Sequence, residues 1–383
     1  MNAMTEMIDQ RTPLAGEGSL VPLTSTPVVG TPGRPYAEPV TVAAEPLAAG
    51  EVRVTILGSG DPFVRPSQAS ACVLVEVGND DRDLFLFDLG SGGLKNFTGL
   101  GLPVTATTKV FLSHLHADHV GDMPTLLYSL AKAGRRDPVE VWGPAGATEA
   151  LGTRAYADRL QAAHAWDYAS LRGHPGQSGA RAITSEVPYD ATTTVYERGG
   201  VTITSFPVIH MQDGAVGYRL DYAGRSVVFS GDTRPCLPLI DAAGGGVDLL
   251  IHETFPSPRV YAQKAGVPLE FAEAVVNGVH TSPVMAGKVF DRVGARMSVM
   301  WHLAVDHDTV GSAYADMRTA YDGPVTIAQD LTVFTLTADA VVTRQAVLDP
   351  CPMPVLGPTT VVGPPMNPIP EPPAWWAGAA FLG

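Results

Sequence analysis

Phe111-Leu-Ser-His-Leu-His-Ala-Asp-His-Val-Gly-Asp122 decides how the rest of this 383-residue chain is read. It places His114, His116, Asp118 and His119 within six residues, directly after a run, Thr107 to Leu112, that reads as a buried strand. Imidazole nitrogens beside a carboxylate suit a borderline divalent cation such as zinc. His114 and His116 alternate on an extended backbone and can point the same way. Asp118 and His119 lie on the turn into the next helix and can aim at a second point nearby. Four potential ligands so close, none of them cysteine, are too many for one closed structural site, so an open two-metal catalytic site is the natural reading. Ten histidines spread over the chain would rarely cluster this way by chance.

The pattern His-x-His-x-Asp-His after a strand resembles the signature of the metallo-β-lactamase superfamily. That resemblance implies an α/β fold, a four-layer αβ/βα sandwich with the metals at one edge. Leu57-Gly-Ser-Gly-Asp-Pro62, with Arg65, Ser67 and Phe87-Asp-Leu-Gly-Ser-Gly92, is similar to the start of the ribonuclease Z and arylsulfatase-like branch. By that likeness Asp88 would sit behind the metals and orient their ligands, although an ordinary strand-ending turn would read the same.

Further along, the alternating strand Val201–Ile209 delivers His210, a hairpin around Ala223-Gly224 delivers Gly231-Asp232-Thr233, and the strand Met297–Trp301 ends in His302. A single histidine after a strand is usually a satisfied core residue. The superfamily order instead implies that His114, His116 and His210 hold a first metal, that Asp118, His119 and His302 hold a second, and that Asp232 bridges them. His252-Glu-Thr-Phe255 and Gly278-Val-His-Thr-Ser282 look like the ribonuclease Z pattern as well. Carried across, Glu253 orients His280, and His280 protonates the leaving group. Asp118 is counted with Glu253 and His280 among the catalytic side chains. A helix cap at Thr281 or Ser282 would account for the second motif without catalysis. Asp306 and His307 read as solvated loop residues.

The bulk properties bound the rest. A formal charge of −14 and the absence of a segregated basic patch disfavour tight binding to a phosphate backbone. Cys72, Cys236 and Cys351 are too few and too scattered for a disulfide framework, so a reduced, cytoplasmic setting is expected. No run of eighteen apolar residues implies a membrane span, and residues 1 to 20 have no secretory character.

Three regions are expected: an N-terminal arm at 1–48 without helical or strand period, a hydrolase domain at 49–347 with a helical insertion at about 147–190, and a Pro-rich arm at 348–383. Tyr156, His164, Trp166, Tyr168 and His174 in the insertion could wall a substrate pocket or pack an added helical layer. Dense prolines and Trp375-Trp376 suggest a tail that packs on the body or on a partner, making a homo-oligomer through the arms.

The functional expectation is a hydrolase carrying two divalent ions, zinc first and manganese or iron next, acting on a small-molecule phosphodiester or aryl sulfate. A lactonase or other carboxylic ester hydrolase comes second. Transfer-RNA-processing members carry a long basic insertion before the Gly-Asp-Thr strand, whereas Tyr218 to Phe229 is a tight hairpin here. With the acidic balance, this ranks tRNA 3′ processing low and predicts no nucleic-acid partner and no membrane contact. A metal-holding assembly scaffold is the non-enzymatic alternative.

Overall fold

The computed structural model describes residues 28–29, 38–306, 308–348 and 371–379. His307, Pro350 to Pro370 and Phe381 of the sequence reading lie outside the described residues.

Val52-Arg-Val-Thr-Ile-Leu-Gly58 is buried along its whole length, which a strand achieves only when both sheet faces are covered. The strands in chain order begin β1 (Val28–Val29), β2 (Glu38–Val40), β3 (Val52–Gly58), β4 (Cys72–Val77), β5 (Leu84–Phe87), β6 (Lys109–Phe111), β7 (Val139–Pro144), β8 (Ala182–Val187) and β9 (Thr193–Arg198). They continue with β10 (Val201–Pro207), β11 (Val216–Tyr222), β12 (Arg225–Phe229), β13 (Leu249–Glu253), β14 (Met297–Trp301), β15 (Val325–Ile327), β16 (Thr332–Leu336) and β17 (Val341–Ala346). One sheet runs β2-β17-β16-β3-β4-β5-β6-β7-β8 and the other β1-β15-β14-β13-β12-β11-β10-β9.

Between the sheets, Val54, Ile56, Phe85, Phe87 and Phe111 meet Ile203, Tyr218, Phe229, Ile251 and Trp301. The outer face of the first sheet is covered by helices Gly93–Gly99 and Met123–Lys132 through Phe97, Leu126 and Leu130. Helices Leu237–Ala243, Pro283–Val293 and Val310–Arg318 cover the second through Leu239, Phe290 and Met317. These are the four expected layers of an αβ/βα sandwich.

The topology decides where the chemistry sits. Strands β5, β6 and β7 are parallel in one sheet, and β12, β13 and β14 are parallel in the other. Parallel strands joined by helical crossovers bring their carboxyl ends to one edge, the usual place for a ligand in such sheets.

Two expectations are corrected. The N-terminal arm contains strands: β1 pairs antiparallel with β15 and β2 pairs parallel with β17, so these segments extend the chain's own sheets. The insertion is only partly helical. After helices Thr153–Ala163 and Ala165–Ser170 it supplies β8, an edge strand parallel to β7, whose one-sided burial gave too short an alternation to recognise. Tyr156 packs on the core and donates its hydroxyl to Val120 O at 3.2 Å, whereas Trp166 is 87% exposed. At the other end, Trp375 and Trp376 stand exposed on this chain.

Candidate metal centre

Asp88 follows β5 and anchors the site from behind. Its φ of 55° is unusual for a residue with a side chain and places the carboxylate under the loop after β6. Oδ1 accepts the Ser113 amide at 2.7 Å, and Oδ2 accepts the Ser113 hydroxyl at 2.7 Å and His119 Nδ1–H at 2.7 Å. Ser113 Oγ also lies 3.0 Å from His114 Nδ1. With the serine proton given to Asp88, His114 Nδ1–H donates to Ser113, and both His114 and His119 are left with Nε2 facing the cluster. The neighbouring turn is pressed tight, since a Cβ on Gly90 would fall 2.0 Å from Asp118 O.

Two groups of potential ligand atoms result, each with members within 4.8 Å of one another: His114, His116, His210 and Asp232, and then Asp118, His119 and His302. His114 Nε2 is 2.9 Å and His210 Nε2 3.3 Å from His116 Nδ1. His210 is aimed by its Nδ1–H, which donates to Val279 O at 2.9 Å. Asp232 lies between the groups. Its Oδ2 is 3.9 Å from His114 and 3.8 Å from His210, while its Oδ1 is 3.3 Å from His119 and 3.5 Å from His302. Asp118 Oδ2 is 3.5 Å from His119 and 3.3 Å from His302. All seven sequence-predicted ligands are thus brought together.

The electrostatics fit cations at this edge. Burial holds His114 well below the ordinary histidine value and His210 at about 4, so both are neutral donors. Burial alone would raise Asp232, but His302 and His119 outweigh it and keep the carboxyl well below its usual range. Against the cost of burial, Asp232 and Asp118 draw protons onto His302 and push it up to about 9. The field of the second group therefore demands positive charge. His119 Nε2 and Asp232 Oδ1 are both buried without a hydrogen bond of ordinary geometry, which is a costly arrangement unless an ion satisfies them.

Beside the cluster, Glu253 ends β13 with no exposure. Oε1 accepts His280 Nδ1–H at 2.9 Å and the Thr233 amide at 2.7 Å. The His280 ring stacks on Phe255, with centroids 4.2 Å apart, and stands 5.0 Å from the His210 ring. Burial would lower its pKa, yet the Glu253 carboxylate outweighs that and raises it. Thr281 ties this loop to the Asp232 loop, donating its hydroxyl to Thr233 O at 2.7 Å. Asp306 instead faces away into an ion pair with Lys264 at 2.8 Å.

Some supports were not anticipated. Gln68 clamps the turn after His302, donating Nε2–H to Leu303 O at 3.0 Å and accepting the Val305 amide at 2.8 Å. Asp330 braces the same region by accepting the Ser59 and Ala69 amides. Both lie far from the ligands in sequence, and an isolated Gln or Asp carries no local signal. Ser113 sits inside the histidine stretch, where its adjacency to His114 was a usable clue.

A cavity of about 320 Å³ opens beside His114, His116 and His210, between the Pro144–Leu151 segment and the Gln212–Ala215 loop. No helix among the described residues is long and apolar enough to cross a membrane.

Comparison with known proteins agrees with this architecture. A beta-lactamase superfamily domain model matches residues 96–303. Ribonuclease Z of Mycobacterium avium (strain 104) is 31% identical over 255 residues, covering 66% of this chain and 85% of that protein. In structure, the metallo-β-lactamase fold protein YhfI from Bacillus subtilis aligns with a TM-score of 0.56 at 20% identity, over 75% of this chain and all of the other. Human tRNase Z, short form, aligns with a TM-score of 0.55 at 20% identity, over 73% of this chain and 98% of the other. The expectation of no nucleic-acid partner is overturned by this relationship: a relative sharing two thirds of the chain is named for cleaving RNA. Net charge misled because it averages over the whole surface, whereas a substrate meets one edge of it.

Proposed function

From its place in the metallo-β-lactamase superfamily, to which the chain belongs as a relative of ribonuclease Z, we propose that it is a metal-dependent phosphodiesterase. Hydrolysis of an ester bond by a metallo-β-lactamase-fold enzyme is the general activity. The finer reading is that the bond is a phosphodiester and that RNA belongs among its substrates. The observation carrying it is the Glu253–His280 pair at 2.9 Å, set beside seven converging ligand side chains.

His114, His116 and His210 would hold one divalent ion and Asp118, His119 and His302 another, with one oxygen of Asp232 for each. Zinc suits this nitrogen-rich set best, with manganese or iron next. Such ions, when bound, supply Lewis acidity and lower the pKa of water. The chain's own side chains do the rest. Asp88 holds His114 and His119 in the tautomers that present Nε2. His280, kept protonated by Glu253, places a proton where an expelled alkoxide or aryloxide needs one. An activated amide needs no such donor, so this pair favours an ester that expels an alkoxide or aryloxide, and among such esters the relationship to ribonuclease Z supports the phosphodiester. The β11–β12 hairpin closes through Ala223-Gly224, so an RNA substrate is held without an arm at that position.

The test is hydrolysis by the zinc-loaded protein of bis(4-nitrophenyl) phosphate and of an RNA carrying a 3′ trailer, against 4-nitrophenyl sulfate and a lactone. Turnover of the phosphodiesters in preference to the others is expected. Turnover confined to the sulfate or the lactone would refute the reading.

A further inference from the structure

We propose that the cavity beside the first ligand group is a subsite for a flat, uncharged ring on the retained side of the phosphodiester. The inference rests on the phosphodiesterase reading and adds to it the chemistry of the group next to the scissile phosphate.

Three observations carry it. First, the cavity is continuous with the reaction edge, because His114, His116 and His210 are among the residues that line it. Second, its walls are mainly apolar: Leu115, Pro144, Leu151 and Ala215 line it with Gln212, and apart from the histidines Asp213 is the only ionisable lining residue among the described residues. A second phosphate or a carboxylate would meet an acidic side chain and no cation, whereas a ring gains apolar contact. Third, the walls are held close together. A Cβ on Gly214, at φ +126°, would lie 3.2 Å from Gly146 Cα, so the two segments touch through glycine and leave a narrow slot. His280 does not line this cavity, so the group that it protonates leaves on the other side.

A nucleobase and an aryl ring share this chemistry, and the experiment separates them. Leu151 is 52% exposed, so Leu151→Glu adds a charge to the wall without disturbing packing. Calorimetric titration of the zinc-loaded protein with phenylphosphonate and methylphosphonate reads the cavity without turnover. The phenyl compound should bind roughly tenfold more tightly, and in Leu151→Glu, where the added charge weakens both anions alike, the ratio of the two affinities should fall to about one. Tighter competition by uridine 5′-monophosphate than by phenylphosphonate assigns the ring to a nucleotide; the reverse order assigns it to an aryl ester. Equal affinity for the two phosphonates, or a preference that survives Leu151→Glu, overturns the subsite. Because these titrations do not depend on hydrolysis, inactivity toward every phosphodiester would sink the phosphodiesterase reading separately.

Discussion

Asp88 Oδ2 lies 2.7 Å from His119 Nδ1, and neither side chain is exposed to solvent. One buried carboxylate thereby sets the direction of His119 and, through Ser113, of His114. Replacing Asp88 by Ala should lower metal affinity by about 10–100-fold, the usual effect of losing a ligand-orienting partner. Zinc titration against a competing chelator measures this, and unchanged affinity would show that the histidines are positioned by other contacts.

His280→Ala should cut kcat by roughly 10²–10⁴-fold on a phosphodiester with an alkoxide leaving group, the range for loss of a general acid. The loss should be far smaller with 4-nitrophenolate, which leaves without a proton. Kinetics across a leaving-group series checks this, and a uniform loss would mean that His280 is structural. Glu253→Gln should act in the same direction through the raised pKa of His280.

Removing bound metal should cost stability as well as activity, since seven side chains converge on one edge and three of their atoms, His119 Nε2, Asp232 Oδ1 and His302 Nδ1, are buried without a hydrogen bond of ordinary geometry. A ligand present at a thousand times its dissociation constant stabilises by about 4 kcal/mol, so chelation should lower the melting temperature by several degrees and zinc should restore it. Calorimetry with elemental analysis tests this, and a melting temperature indifferent to chelator would count against a resident ion.

Gln68 holds both the carbonyl of Leu303 and the amide of Val305, just after His302, whose φ is 61°. Gln68→Ala leaves the buried Leu303 carbonyl and the half-buried Val305 amide unpaired, at about 1–3 kcal/mol. It should also weaken binding at the His302 position before the His114 position, so metal per chain should fall by about half at limiting zinc. Loss of both ions together would instead indicate general unfolding of the edge.

Glu76 is raised to about 7 by burial, which Arg53 at 3.6 Å offsets only in part. In the unfolded chain it titrates near its ordinary value of 4.5. Between those values the folded state binds more protons, so stability falls as pH rises from about 4.5 to 7 and is level above. Glu76→Gln should flatten that slope, by on the order of 2–3 kcal/mol across the window. Denaturant unfolding at pH 5 and pH 8 measures it, and parallel pH profiles for variant and wild type would refute the assignment.

The sequence by itself determined the superfamily, the alternation of strands and helices around the histidine stretch, and the identity of the side chains that converge. Strong local patterns carry that information: His-x-His-x-Asp-His after an apolar strand, and a His or Asp shortly after β10, β12 and β14. Short edge strands such as β8 and β2 were not legible, because a strand with one solvated face and few residues imposes almost no pattern on its sequence. Nor could the chain alone say that Gln68 grips the turn after His302, that Ser113 relays Asp88 to His114, or that Gly146 and Gly214 press together. Those contacts join residues dozens to hundreds of positions apart, and only the stacking of two sheets with their parallel strand ends at one edge brings them within reach. Residue chemistry set which groups could act, and the packed topology set the directions in which they point.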